Sequence, residues 1–225
     1  MGFHCCIWTR GACVSRTSFL SCIEKDNVVA AQAASSTSLV ATVPVRIISL
    51  RTVQRERLVL YTDATGAGNL AWSADLRGER TYARAVVPRW LRRWACHRQN
   101  QIATWELCAA VCGLWNFVGD CALPPHLEVH MFIDNTVALG TVLRGASRQE
   151  DWNMLVSDIW LQTAKRGILL LCWHVPSKQN VADAPTRPDQ QVARLQQMHQ
   201  AGFREIPWCW PSYGPWGTNA VAEWT

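Results

Sequence analysis

Four acidic residues sit where phosphodiester chemistry would want carboxylates. Asp63 closes the apolar run Leu58-Val59-Leu60-Tyr61-Thr62, and Glu106 lies inside a helical stretch, Gln101 to Val118. Asp134 closes a second apolar run, Val129-His130-Met131-Phe132-Ile133, and Asp183 follows a third, Ile168 to Trp173. Acids carried by two strand ends and two helices converge only if the strands lie side by side. Such a cluster is electrostatically unfavourable unless divalent cations fill it. The chemistry this implies is metal-dependent cleavage of a phosphodiester.

Each acid alone has a simpler reading. Asp63 could stabilise the turn at Ala64-Thr65-Gly66, and Glu106 could face solvent. Asp134 could cap the following helix together with Asn135, and Asp183 could serve a capping arrangement begun at Asn180. Jointly these readings weaken. Asp63 and Asp134 both end apolar strands, where open α/β sheets place their ligand sites. Glu106 shares its helix face with Ile102, Ala109, Ala110 and Gly113, a small apolar face suited to packing on a sheet. An unpaired carboxylate buried there is costly, and a metal removes the cost.

The elements that must position these acids follow from periodicity and turn residues. Strands are expected over Leu58–Ala64, Asn69–Asp75 and Thr81–Val87, separated by turns at Gly66-Ala67-Gly68 and Arg77-Gly78-Glu79. An Arg/Trp-rich connection leads to the helix Gln101–Val118, and Pro124-Pro125 precede a fourth strand, Leu127–Asp134. Helices over Thr136–Leu143 and Asp151–Ala164, split by Gly145, lead to a fifth strand, Ile168–Val175. Asn180 then caps a short helical turn that Pro185 should stop. A meander feeding helix-linked strands predicts an α/β fold: a five-stranded mixed sheet, antiparallel then parallel, with helices packed on it.

A second feature is basic and aromatic. Seven arginines lie between Arg77 and Arg98, and Trp90 and Trp94 stand among Arg89, Arg92 and Arg93. Guanidinium groups neutralise phosphates and indoles offer stacking faces, so these five residues are candidate nucleic-acid contacts. A solvated connection with its tryptophans packed underneath is the competing reading. Arg144, Arg148, Lys165 and Arg166 form a weaker candidate patch.

Composition bounds the rest. The chain has 225 residues, 49% of them hydrophobic, and a formal net charge of +5, compatible with a polyanionic partner. No apolar stretch reaches the ~20 residues of a bilayer span, so no membrane association is expected. Ten cysteines without a Cys-x-x-Cys pair or a secretory signal imply a reduced, intracellular, soluble protein, with Cys108 and Cys112 buried as small apolar groups. Cys6 stands where an acylation signal opening on Met1-Gly2 would want Ser or Thr. Residues 1–55, with a low-complexity patch at Ala30–Ser38, read as a linker, the remnant of a preceding domain or a gene-model artefact. A domain follows over 56–190, and 191–225 forms a Trp/Pro-rich extension with Trp208-Cys209-Trp210-Pro211 and Gly214-Pro215-Trp216-Gly217.

Taken together, the segments Tyr61-Thr62-Asp63-Ala64 with Gly66 and Gly68, Glu106-Leu107, Phe132-Ile133-Asp134-Asn135 with Leu143, and His174 to Arg187 resemble the ribonuclease H domains of retroelement reverse transcriptases. The most specific is His174-Val175-Pro176-Ser177-Lys178-Gln179-Asn180-Val181-Ala182-Asp183-Ala184-Pro185-Thr186-Arg187. The resemblance runs from about Leu58 to Arg187 and implies a ribonuclease H-like fold in which Asp63, Glu106, Asp134 and Asp183 bind metal. It further implies hydrolysis of the RNA strand of RNA/DNA hybrids, a polymerase domain as a partner, and Asn135 and Asn180 as further nucleic-acid contacts. Two Mg²⁺ ions clamping the scissile phosphate would serve that reaction, with Mn²⁺ able to substitute. Many relatives carry a histidine on a mobile loop before the last acid; here that connection is short and His174 lies at the strand end, which favours a structural histidine. The non-enzymatic alternative is an inactive domain of this type that binds nucleic acid or a polymerase. A polymerase palm lacks its second Asp here, and an exonuclease would want Glu where Thr65 stands.

Overall fold

The computed structural model describes residues 7–9, 12–14, 55–118 and 127–211. The Ala30–Ser38 patch, Pro124-Pro125 and the segment Gly214–Gly217 lie outside the described residues. The chain divides into two units, Met1–Ile47 and Ile48–Thr225. In the first, β1 (Ile7–Thr9) and β2 (Ala12–Val14) form a short antiparallel hairpin, Ile7 opposite Val14.

The second unit is built on a mixed sheet. Its strands are β3 (Arg57–Ala64), β4 (Asn69–Leu76), β5 (Glu79–Val86), β6 (Glu128–Ile133), β7 (Leu169–His174) and β8 (Arg204–Glu205). They are arranged in the order β7-β6-β3-β4-β5-β8. β3, β4 and β5 form the antiparallel meander, and β6 and β7 add to β3 in parallel, as expected. The sheet has six strands rather than five. Arg204 and Glu205, in the expected extension, pair in parallel with Thr81 and Tyr82 and cover the outer edge of β5.

The helices are α1 (Arg89–Trp94), α2 (Ile102–Val118), α3 (Thr136–Arg144), α4 (Glu150–Arg166), α5 (Asp183–Thr186) and α6 (Val192–Gln200). The Arg/Trp-rich connection contains a helix, α1: Trp90 and Leu91 are buried on one side while Arg89, Arg92 and Arg93 are exposed, and that anchoring pays for the short helix. α5 contains Pro185 instead of ending before it. Its first-turn N–H groups have no intrahelical acceptor, so a proline there loses nothing.

α2 is the axis of the unit. It packs against β3 and β4 on one side and α4 on the other, which buries it almost all round. Gly113 permits the approach, since a Cβ there would lie 3.1 Å from the Trp72 Cβ and 3.3 Å from Leu60. Leu58, Leu60, Trp72, Leu107, Val111 and Leu114 belong to one buried core. Cys108 and Cys112 belong to it as fully buried thiols, and burial pushes both well above the usual thiol range. α3 and α4 close with Gly145 and Gly167, at φ 69° and 65°, the left-handed geometry that suits glycine. None of the described helices is long and apolar enough to cross a membrane.

Candidate metal centre

Strand register decides where the acids fall. β3 and β6 run parallel with Tyr61 beside Phe132 and Thr62 beside Ile133, so the next residues, Asp63 and Asp134, emerge together at the carboxyl ends of adjacent strands. Glu106 reaches them from the first half of α2. A carboxylate oxygen from each of Asp63, Glu106 and Asp134 lies within 4.8 Å of the others. Asp63 and Glu106 are each 1% exposed, and Asp134 is half-buried at the opening.

The simpler readings of these three acids fail on specific contacts. Glu106 is not at the surface: its Oε1 accepts from the Ala64 backbone N–H at 3.1 Å, while Oε2 is buried with no hydrogen-bond partner among the described residues. Asp134 does not cap α3, because Asn135 Oδ1 accepts from both Val137 and Ala138 N–H at 3.0 Å. Asp63 does not hold its turn, because Thr65 Oγ1 accepts the Asn69 N–H and Asp63 Oδ2 instead accepts from the buried Thr186 hydroxyl.

Electrostatics follow from that crowding. Burial, then the charge of Asp63 and next of Asp134, holds the Glu106 carboxyl well above its ordinary range; the Ala64 N–H opposes this. Asp63 is pushed up to about 7, chiefly by burial; Asp134 and Asp183 add to the rise, while the Thr186 hydrogen bond and the Arg187 charge oppose it. Three carboxylates sharing one buried corner cannot all ionise without a counter-charge. The donor set is all hard oxygen, which suits Mg²⁺ or Mn²⁺ rather than a softer metal. Together with the orphaned Glu106 oxygen, it fits a divalent cation.

Asp183 is buried, and the structure does not bring its carboxylate into the ligand trio; it accepts instead from Arg187, Gln191 and, at 2.9 Å, Arg194. Asn180 is fully buried, its Nδ2 donating to Thr62 O at 2.9 Å and its Oδ1 accepting from Ala182 N, so it is a tie within the core and not a nucleic-acid contact. Asn135 spends its oxygen on the α3 cap. His174 is exposed at the end of β7, its Nε2 3.2 Å from the Asp134 carbonyl oxygen.

Trp90 offers no stacking face, because it is 8% exposed and set edge-on to Trp210 at 6.0 Å. Trp94 packs half-buried against the same core. Arg92, though exposed, bends back along the surface, donating to Val87 O and Ala67 O and lying over the Trp105 ring. Arg89 and Arg93 remain exposed on α1.

Sequence reasoning missed Thr186, Gln191 and Arg194. Thr186 was quoted only within a longer motif, and the other two stood in what read as an extension; no local signal ties them to an acid. Beside the site, Thr65, Asn69, Thr186, Arg187 and Gln190 line a groove of about 230 Å³.

No protein-family model matches this chain, and no curated protein matches it. Among solved structures, the N-terminal RNase H domain of Rv2228c from Mycobacterium tuberculosis, in a fusion with maltose-binding protein, is similar to it at 15% identity. That match covers 63% of this chain and 98% of that one, with a TM-score of 0.39. RNase H1 from the halophilic archaeon Halobacterium salinarum is similar at 17% identity, covering 58% and 93%, with a TM-score of 0.38. LC11-RNase H1, isolated from compost, is similar at 13% identity, covering 64% and 99%, with a TM-score of 0.36. Scores this low leave the architecture to be read from the sheet order and the site from its own geometry.

Proposed function

We propose that the second unit is a ribonuclease H-like, divalent-metal-dependent nuclease that hydrolyses the RNA strand of RNA/DNA hybrids. The observation that carries this reading is the convergence of Asp63, Glu106 and Asp134 within 4.8 Å at the carboxyl ends of two parallel strands, with a buried Glu106 oxygen that has no hydrogen-bond partner among the described residues. Buried acids in that state are destabilising, and a cation is what makes the arrangement tolerable.

Asp63, Glu106 and Asp134 would hold Mg²⁺, with Asp183 as the candidate fourth ligand. When bound, the metal supplies Lewis-acid polarisation of a phosphodiester and activation of water. The residues of the chain do the positioning. The Ala64 N–H fixes Glu106, Thr186 orients Asp63, and the register of β3 on β6 sets Asp134 beside Asp63. Arg89 and Arg93 would take backbone phosphates, and the groove beside Thr65 and Asn69 would hold the adjacent nucleotide of the RNA strand. The 2′-hydroxyl is what distinguishes that strand from DNA. Descent from a retroelement reverse transcriptase, with its polymerase domain as a partner, is supported by the resemblance of the His174–Arg187 segment.

The test compares cleavage of an RNA/DNA hybrid, single-stranded RNA, duplex RNA and duplex DNA, each with Mg²⁺ and with chelator. The hybrid alone should be cut, and only with metal. Asp134→Asn should keep the fold and lower the rate by about 10³-fold, the scale of losing ~4 kcal/mol of transition-state stabilisation. A variant that cuts at the parent rate refutes the site. Tight hybrid binding without cleavage would establish the binding-only alternative.

A further inference from the structure

The fourth acid is already neutralised. Asp183 is 5% exposed, yet it carries two guanidinium partners, and these differ in kind. Arg194 is a fixed staple: besides Asp183 it donates to Gln191 Oε1 at 2.6 Å and to the Asn180 carbonyl oxygen at 3.0 Å, tying α6 to the turn before α5. Arg187 has a single side-chain hydrogen bond among the described residues, to Asp183 Oδ1 one helical turn away, with its side chain 34% exposed. It also lines the groove that runs past Thr65 and Thr186.

Arg187 therefore holds a position between a buried carboxylate and open solvent, at the edge of the groove beside the site. From this asymmetry, and resting on the metal-centre reading above, we infer that Arg187 is a resident counter-cation that withholds Asp183 from metal, so that a second divalent ion binds only when Arg187 swings into the groove. The trio then takes one ion readily, and completion of a two-ion site is governed by a side chain of the protein itself. Displacing one guanidinium is feasible because Arg194 and Gln191 still position Asp183 after Arg187 has left.

Manganese binding to the full chain, followed by loss of the free-ion signal in electron paramagnetic resonance, tests the inference without any turnover. The parent should bind one Mn²⁺ tightly and a second much more weakly. Arg187→Ala should tighten the second step by about tenfold or more, the order expected for removing one nearby positive charge. Arg187→Lys, which keeps the charge, should leave it close to the parent. The gain should vanish in Arg187→Ala/Asp183→Asn. Because Arg187 is surface-facing, circular dichroism should show an unaltered fold.

Three results would overturn the inference: superimposable parent and Arg187→Ala titrations, tightening that survives Asp183→Asn, or equal tightening in Arg187→Lys. A parent that binds no Mn²⁺ at all would instead sink the metal centre on which this rests.

Discussion

Replacing Glu106 by Gln should make the metal-free protein more stable while destroying its response to metal. Glutamine is nearly isosteric, its carbonyl oxygen can keep the Ala64 N–H bond, and its amide offers a donor to the neighbouring carboxylates of Asp63 and Asp134. Two like charges 4.8 Å apart repel by ~3 kcal/mol at an effective dielectric near 20. Proton uptake limits the penalty, because Glu106 and Asp63 are both held above their ordinary ranges in the folded state. A gain of about 2–4 kcal/mol, or roughly 5–10 °C in Tm for a chain of this size, is therefore expected.

The sign with pH is definite. The raised carboxyls bind protons in the folded state that the unfolded state has released, so stability is lost as pH rises from about 4 to about 7. The benefit of Glu106→Gln should be small near pH 4.5 and grow as pH rises above the ordinary carboxylate range. Thermal unfolding by circular dichroism, in chelator and in Mg²⁺, reads this out. Mg²⁺ should raise the Tm of the parent near pH 8 and leave the variant almost unmoved. A variant less stable than the parent in chelator near pH 8, or a gain independent of pH, would refute the buried-repulsion argument.

Arg89→Ala/Arg93→Ala should weaken hybrid binding and reduce the salt slope by about 2, whereas Arg92→Ala should leave that slope intact and act through the turn it pins at Ala67. Fluorescence anisotropy across a salt series distinguishes them. Gly113→Ala should destabilise the protein by about 1–3 kcal/mol in urea unfolding, since its Cβ meets the Trp72 Cβ at 3.1 Å and neither backbone can retreat without opening the core. Asn180→Ala removes two buried hydrogen bonds and should cost about 2–4 kcal/mol; an unchanged midpoint would mean the tie to Thr62 is not made in solution.

Much of the sheet was legible locally. Strands β3, β4, β6 and β7 alternate or run apolar between strong turn residues, and a side-chain period of two needs no distant information. Helix α1 was hidden because six residues carry too little periodicity, and its existence depends on Trp90 finding Trp210 more than a hundred residues on. Strand β8 was hidden for the same reason, since it is two residues long and is defined by its pairing with β5.

The amino-acid order by itself determined that three acids would close or face apolar elements, because strand ends and helix faces are properties of neighbouring residues. Only the tertiary structure decided their company. The parallel register of β3 on β6 set Asp134 beside Asp63, and the fold of α5 and α6 gave Asp183 two arginines instead of a place among the trio. Charge–charge energies fall with distance through space, not along the chain, so the state of a carboxylate is decided by neighbours that local sequence cannot reveal.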